Sequence, residues 1–186
     1  MKSVAVIYHS GYGHTEKQAQ AVASGANIEG VSVKLINAND VDAHWDELNA
    51  ANAIIFGSPV YMGSVTADFK KFMEATSKLW YTRAWQNKFA AGFVNSASLN
   101  GDKQTAMFQL VTFAAQHGML WIPLNLLPAN SSQSQRNDLN RMGGTLGAYA
   151  QADSDLSAEV VPPQGDLDTA KYLGKRVAEI VLKSDL

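Results

Sequence analysis

The chain has 186 residues, 46% of them hydrophobic and 17% charged, with a formal net charge of −2; one domain, 1–186, with a sizeable core is expected. Near-neutral charge with no basic stripe argues against nucleic acid as a partner, and the absence of cysteine excludes disulfides and thiolate metal sites. No apolar run approaches the roughly 18–20 residues needed to span a bilayer, and residues 1–4 carry no signal-peptide pattern, so a cytoplasmic protein without an integral membrane segment is expected.

Taken in chain order, apolar runs at 4–9, 31–37, 53–57, 89–95 and 119–123 read as strands. Helices are predicted at 15–26, 66–79, 102–117 and 167–183, with a short one at 43–51. Phe69, Phe72 and Met73 show the i, i+3, i+4 spacing of a buried helix face. The alternation predicts an α/β fold: an open five-stranded parallel sheet of order 2-1-3-4-5, with helices on both faces. Two stretches exceed what such a fold requires. Residues 79–88 carry Trp80, Tyr81 and Trp85; residues 124–165 are rich in Asn, Ser, Gln and Gly and are expected to form an extended loop.

The most informative segment is Ser10-Gly11-Tyr12-Gly13-His14-Thr15, which joins the first strand to the first helix. Such a loop aims backbone N–H groups and a positive helix end at one point, which suits a phosphate. It lacks the Lys of a P-loop and the third glycine of a dinucleotide fingerprint. Amides and hydroxyls without a cation fit a single terminal phosphate such as that of flavin mononucleotide (FMN). Taken alone, the segment is also compatible with an ordinary tight turn that holds no ligand.

In an open sheet, ligands sit beyond the carboxyl ends of the strands where the strand order reverses. Two further loops should converge there. Pro59, Val60, Tyr61, Met62 and Gly63 follow the third strand and would flank the edge of a flat ring. Asn95, Ser96, Ala97, Ser98, Asn100 and Gly101 follow the fourth and would wrap its pyrimidine side. Among the histidines, His117 precedes Gly118 at a helix end, where a dipole interaction explains it; approach to a ring carbonyl is the alternative. No histidine pair has metal-ligand spacing, and no metal site is expected. Trp80 reads either as a core aromatic or as the wall of a planar substrate site, and Tyr12 as a residue that stacks on that substrate.

With these loops assembled, the chain resembles the flavodoxin-like superfamily, and within it the NAD(P)H:quinone oxidoreductases of the tryptophan-repressor-binding type. The resemblance covers nearly the whole length. It rests on Ser10–Thr15, Ile54-Ile55-Phe56-Gly57-Ser58-Pro59, Met62-Gly63, Leu79-Trp80, His117-Gly118-Met119 and Gly143-Gly144-Thr145-Leu146-Gly147-Ala148. It implies FMN held by the three loops, His117 near the flavin as the candidate catalytic residue, and Trp80 beside the substrate. It also implies NADH or NADPH as co-substrate, a quinone or similar planar acceptor, ping-pong two-electron transfer through flavin N5, and a homo-oligomer, dimer or tetramer. Two positions depart from the pattern. The third loop has one glycine where the family has several, and Tyr61 stands where an Arg is typical. A flavodoxin-type electron carrier and a flavin-binding regulatory module are the alternatives.

Overall fold

The structure, a computed structural model, describes residues 1–185. Strand β1 (Lys2–Tyr8) leads to helix α1 (His14–Ala26) and strand β2 (Val31–Asn37). A 3-10 turn (Ala38–Ala43) and helix α2 (Trp45–Ala50) precede β3 (Ala53–Tyr61), which folds back into β4 (Ser64–Val65). Helices α3 (Ala67–Ala75) and α4 (Ser77–Tyr81) lead to β5 (Phe89–Ser96) and α5 (Lys103–Gln116). The short strands β6 (Leu120–Trp121) and β7 (Ala148–Gln151) and helix α6 (Gln164–Lys183) complete the order.

The sheet runs β2-β1-β3-β5-β6, parallel along that path, which is the flavodoxin-like arrangement. Its central strands are apolar on both sides because helices cover both faces. Successive side chains alternate between two cores. Ala5, Ile7, Ile54, Phe56, Ala90 and Val94 face one; Val4, Val6, Ala53, Ile55, Ala91 and Phe93 face the other. Helices α1 and α6 touch backbone to backbone on the second face. A Cβ on Gly25 would lie 1.9 Å from the Lys171 carbonyl oxygen, and one on Gly174 would lie 1.9 Å from that of Val22.

Three expectations need correction. The fifth strand, expected at 119–123, occupies only Leu120–Trp121, paired with Phe89 and Ala90. Its continuation is β7, which pairs Ala148–Gln151 with Phe93–Ser96 on the same edge. The excursion between them divides one strand position into two segments. The supposed loop at 124–165 therefore contains a strand and the first residues of α6. Gly147 makes this possible, since a Cβ there would lie 2.1 Å from the Gly92 carbonyl oxygen. Lastly, the helix expected at 66–79 breaks at Thr76, whose hydroxyl turns back to donate to the Met73 carbonyl at 2.6 Å.

Candidate functional site

Four segments meet beyond the carboxyl ends of β1, β3, β5 and β7 and enclose a cleft of about 660 Å³. The β1–α1 loop forms its polar end. Gly13 caps α1 at φ 88, a left-handed conformation that glycine adopts readily. Its side-chain-free cap leaves the first helical amides open. The Ser10 hydroxyl accepts from the Gly13 amide at 3.1 Å. Among the described residues, the amides of Gly11, Tyr12, His14 and Thr15 donate to nothing. Thr15 is buried and lines the cleft. Lys17, the nearby cation on α1, is paired with Glu159 at 3.0 Å, which leaves amides and hydroxyls at this pole.

The second wall is Pro59, Val60 and Tyr61. Tyr61 lies over Gly11, where a Cβ would come 2.5 Å from its hydroxyl oxygen. The rings of Tyr12 and Tyr61 meet edge to face at 6.4 Å. Burial, and then the neighbouring Tyr12, raise the Tyr61 phenol above its ordinary range, so it remains a neutral donor near pH 7. Asn95, Ser96 and Ala97 form the third wall. The Asn95 Oδ1 is buried with no hydrogen-bond partner, a polar atom left for a ligand to satisfy.

The fourth wall was not foreseen. Ala152, Ser154, Leu156, Ser157 and Ala158, the strap after β7, close the polar end. His14 Nε2 donates to the Leu156 carbonyl at 2.9 Å, and Lys17–Glu159 ties down the same segment. No periodicity marks these residues; their place follows from β7, which delivers them.

His9, which reads as structural or exposed from sequence, is a buried clip behind the cleft. The Asp68 carboxylate, 3.4 Å from His9 Nε2, can only accept, so a neutral His9 carries its proton on Nε2. Its Nδ1 then accepts from Thr66 Oγ1 at 2.9 Å, and Thr66 Oγ1 accepts from the Phe69 amide at 3.2 Å. Burial lowers the His9 pKa, partly opposed by Asp68, so the neutral form joins the β1–α1 loop to the start of α3.

Of the expected site residues, Gly13 lies behind the polar pole as its cap. Met62 (φ 51) and Gly63 (φ 76) form the β3–β4 turn outside the cleft lining. Ser98, Asn100 and Gly101 lie just beyond it. Trp80 and His117 lie away from the cleft of their own chain. His117 ends α5 at the opposite, amino-terminal edge of the sheet, where Gly118 accepts from the Asn87 amide just before β5. It is buried, with Nε2 2.9 Å from Thr76 Oγ1 and its ring 4.7 Å from that of Trp85. Trp80, on α4, is half exposed at the same end. One chain brings neither to its own cleft, because α3 and α5 each run the length of the sheet away from it.

A parallel sheet of this order, with an uncapped helix start and flanking loops at its switch point, defines a flavodoxin-like protein. The donor set fits FMN: an amide and hydroxyl pole for one phosphate, aromatic walls for a ring, and an unsatisfied Asn95 carbonyl. The chain belongs to the NADPH-dependent FMN reductase family, whose pattern it matches over residues 3–133. It is 49% identical over 180 residues to Flavodoxin FldP of Pseudomonas aeruginosa, covering 97% of each chain. It is 32% identical to an NAD(P)H dehydrogenase (quinone) of Brucella anthropi, with 98% of each covered. In structure it is similar to the flavodoxin, WrbA-like protein from Agrobacterium tumefaciens. There the TM-score is 0.78 at 39% identity, over 98% of this chain and 99% of that one. The resemblance to quinone oxidoreductases of the tryptophan-repressor-binding type agrees with these relatives.

Proposed function

We propose that the cleft holds FMN and that the protein uses it to pass electrons from NADH or NADPH to a quinone or similar planar acceptor. The observation that carries this reading is the polar pole of free amides, Ser10 and Thr15, which opens onto a slot walled by Tyr12 and Tyr61. When bound there, FMN would supply the redox chemistry, hydride acceptance and two-electron transfer.

The chain's own part is binding and orientation. The β1–α1 amides and the Thr15 hydroxyl hold the phosphate dianion, strengthened by the α1 dipole. Tyr61, neutral over Gly11, and the exposed Tyr12 bound the ring and leave a planar partner room to stack. Asn95 presents a buried amide to the ring's polar edge. The His9–Thr66 clip keeps the first two loops in register with each other. Trp80 and His117 serve a cleft only across a subunit boundary, in the homo-oligomer that belongs to this reading.

Loss of NADH and NADPH absorbance by the FMN-loaded protein, with and without benzoquinone, tests it. Rapid quinone-dependent loss is expected, and the faster nucleotide is the preferred donor. A second reading, one-electron carriage, is favoured by the relative named as a flavodoxin. No nucleotide oxidation by the loaded protein, with transfer from an external reductase, would select it.

A further inference from the structure

The loop after β5 has one glycine, and a buried cation shapes it. Lys103, the first residue of α5, is 2% exposed. Its Nζ donates to three consecutive carbonyls, those of Ser98 at 2.6 Å, Leu99 at 3.1 Å and Asn100 at 3.5 Å. An ammonium has three donors, so each carbonyl has one. Among the described residues no carboxylate pairs with it. Asp166 acts at longer range and is itself bound to Arg136 at 2.9 Å.

The C=O and N–H of a trans peptide point to opposite sides. Carbonyls gathered on the ammonium therefore turn the amides of Leu99, Asn100 and Gly101 away from it. Those amides donate to nothing among the described residues. Gly101 (φ 55) and Asp102 (φ 52) complete the reversal in left-handed conformations. The loop thus presents a row of open amides backed by a positive charge, and it continues directly from the cleft-lining Asn95, Ser96 and Ala97.

We propose that Lys103 is a positioning residue for the flavin ring, its ammonium setting the 98–101 loop so that the freed amides meet the carbonyl-bearing pyrimidine edge. The inference rests on the FMN reading above. It gives the loop's missing glycines a physical substitute: internal carbonyl capture in place of conformational freedom.

Burial pushes the Lys103 ammonium down to about 8, eased by Asp166 and reinforced by Arg136. Tyr149 from β7, Gln104 from α5 and Arg141 from the excursion face the same small pocket. Tyr149, pushed up to about 12 by burial, holds its proton well above this range. As pH rises through about 8 the amine keeps two donors for three carbonyls, so the loop loses its anchor and the amides their alignment.

The test is the dissociation constants of FMN and of riboflavin, read by flavin fluorescence, from about pH 7 to about pH 9.5 for wild type and Lys103→Met. Phosphate ionisation is nearly complete above about pH 7 and does not interfere. Wild-type affinity for both flavins is expected to fall about tenfold over this range, equivalent to roughly one hydrogen bond to a charged group. Lys103→Met is expected to bind both weakly and without that pH dependence, while its thermal transition shows a folded chain. A flat wild-type profile overturns the role of Lys103, as does a folded Lys103→Met that matches wild type; both leave the FMN site standing. Should the variant not fold, the wild-type profile decides by itself. A wild type that binds neither flavin overturns the cofactor reading, and this one with it.

Discussion

Thr15 stands in the first turn of α1, buried and lining the polar end of the cleft, with no hydrogen-bond partner for its hydroxyl among the described residues. A hydroxyl bonded to a phosphate dianion contributes about 1–2 kcal/mol. Thr15→Ala is therefore expected to weaken FMN by a factor of about 5 to 30 and to leave riboflavin, which has no phosphate, unchanged. Calorimetric titration with both flavins checks this; equal losses for the two would remove Thr15 from the phosphate site. At this scale the β1–α1 motif was legible because it is local: strand, glycine turn and helix start are contiguous, and their amides point where the backbone sends them. The Lys103 anchor was not legible. Its three acceptors are neighbours in sequence, but nothing in Ser98-Leu99-Asn100 announces that a lysine beyond them will fold back and be buried.

At the scale of elements, an ion pair between the exposed Arg136 and the buried Asp166 helps to bind the excursion between β6 and β7 to α6. Arg136 meets Asp166 with two hydrogen bonds, at 2.9 and 3.0 Å, and Asp166 also accepts from the Gln151 amide of β7 at 2.8 Å. Asp166 is 1% exposed, so removing its cation leaves a carboxylate poorly paired. Arg136→Ala is expected to cost about 1–3 kcal/mol, the penalty of leaving a buried acceptor short of donors, seen as a lower midpoint in urea unfolding. Because β7 delivers the 152–158 strap, FMN affinity should fall with it. A midpoint within about 0.5 kcal/mol of wild type, the usual range for surface substitutions, would show that the pair does not hold the excursion. The long polar stretch at 124–165 hid this arrangement. A four-residue strand carries little periodic signal, and its partner β5 lies some fifty residues earlier.

At the scale of the molecule, the flavodoxin-like sheet separates two ends. The cleft occupies the carboxyl edge, while Trp80 and His117 occupy the other. In a monomer, Trp80→Ala is accordingly expected to leave the FMN dissociation constant within about twofold of wild type, since nothing at the chain's own cleft changes. Any rise in quinone KM should appear only in an oligomer, and sedimentation at the assay concentration should show that assembly. A large loss of FMN affinity in a monomeric sample would contradict the placement. Within one chain His117 bonds to Thr76 and packs on Trp85 and Phe113, while its buried Nδ1 has no hydrogen-bond partner among the described residues.

By itself the sequence determined the alternation of the main strands and helices, the parallel sheet and the glycine turn that opens the first helix. Each of these depends on hydrophobic periodicity and on residues adjacent in the chain. Only the tertiary structure decided that the fifth strand is made of two segments, that residues 152–158 wall the cleft, that Lys103 gathers three carbonyls, and that Trp80 and His117 stand at the far end. Those outcomes depend on which distant backbones come close enough to pair. Such closeness comes from packing at positions such as Gly147 against Gly92, where the side chains record only that space is short.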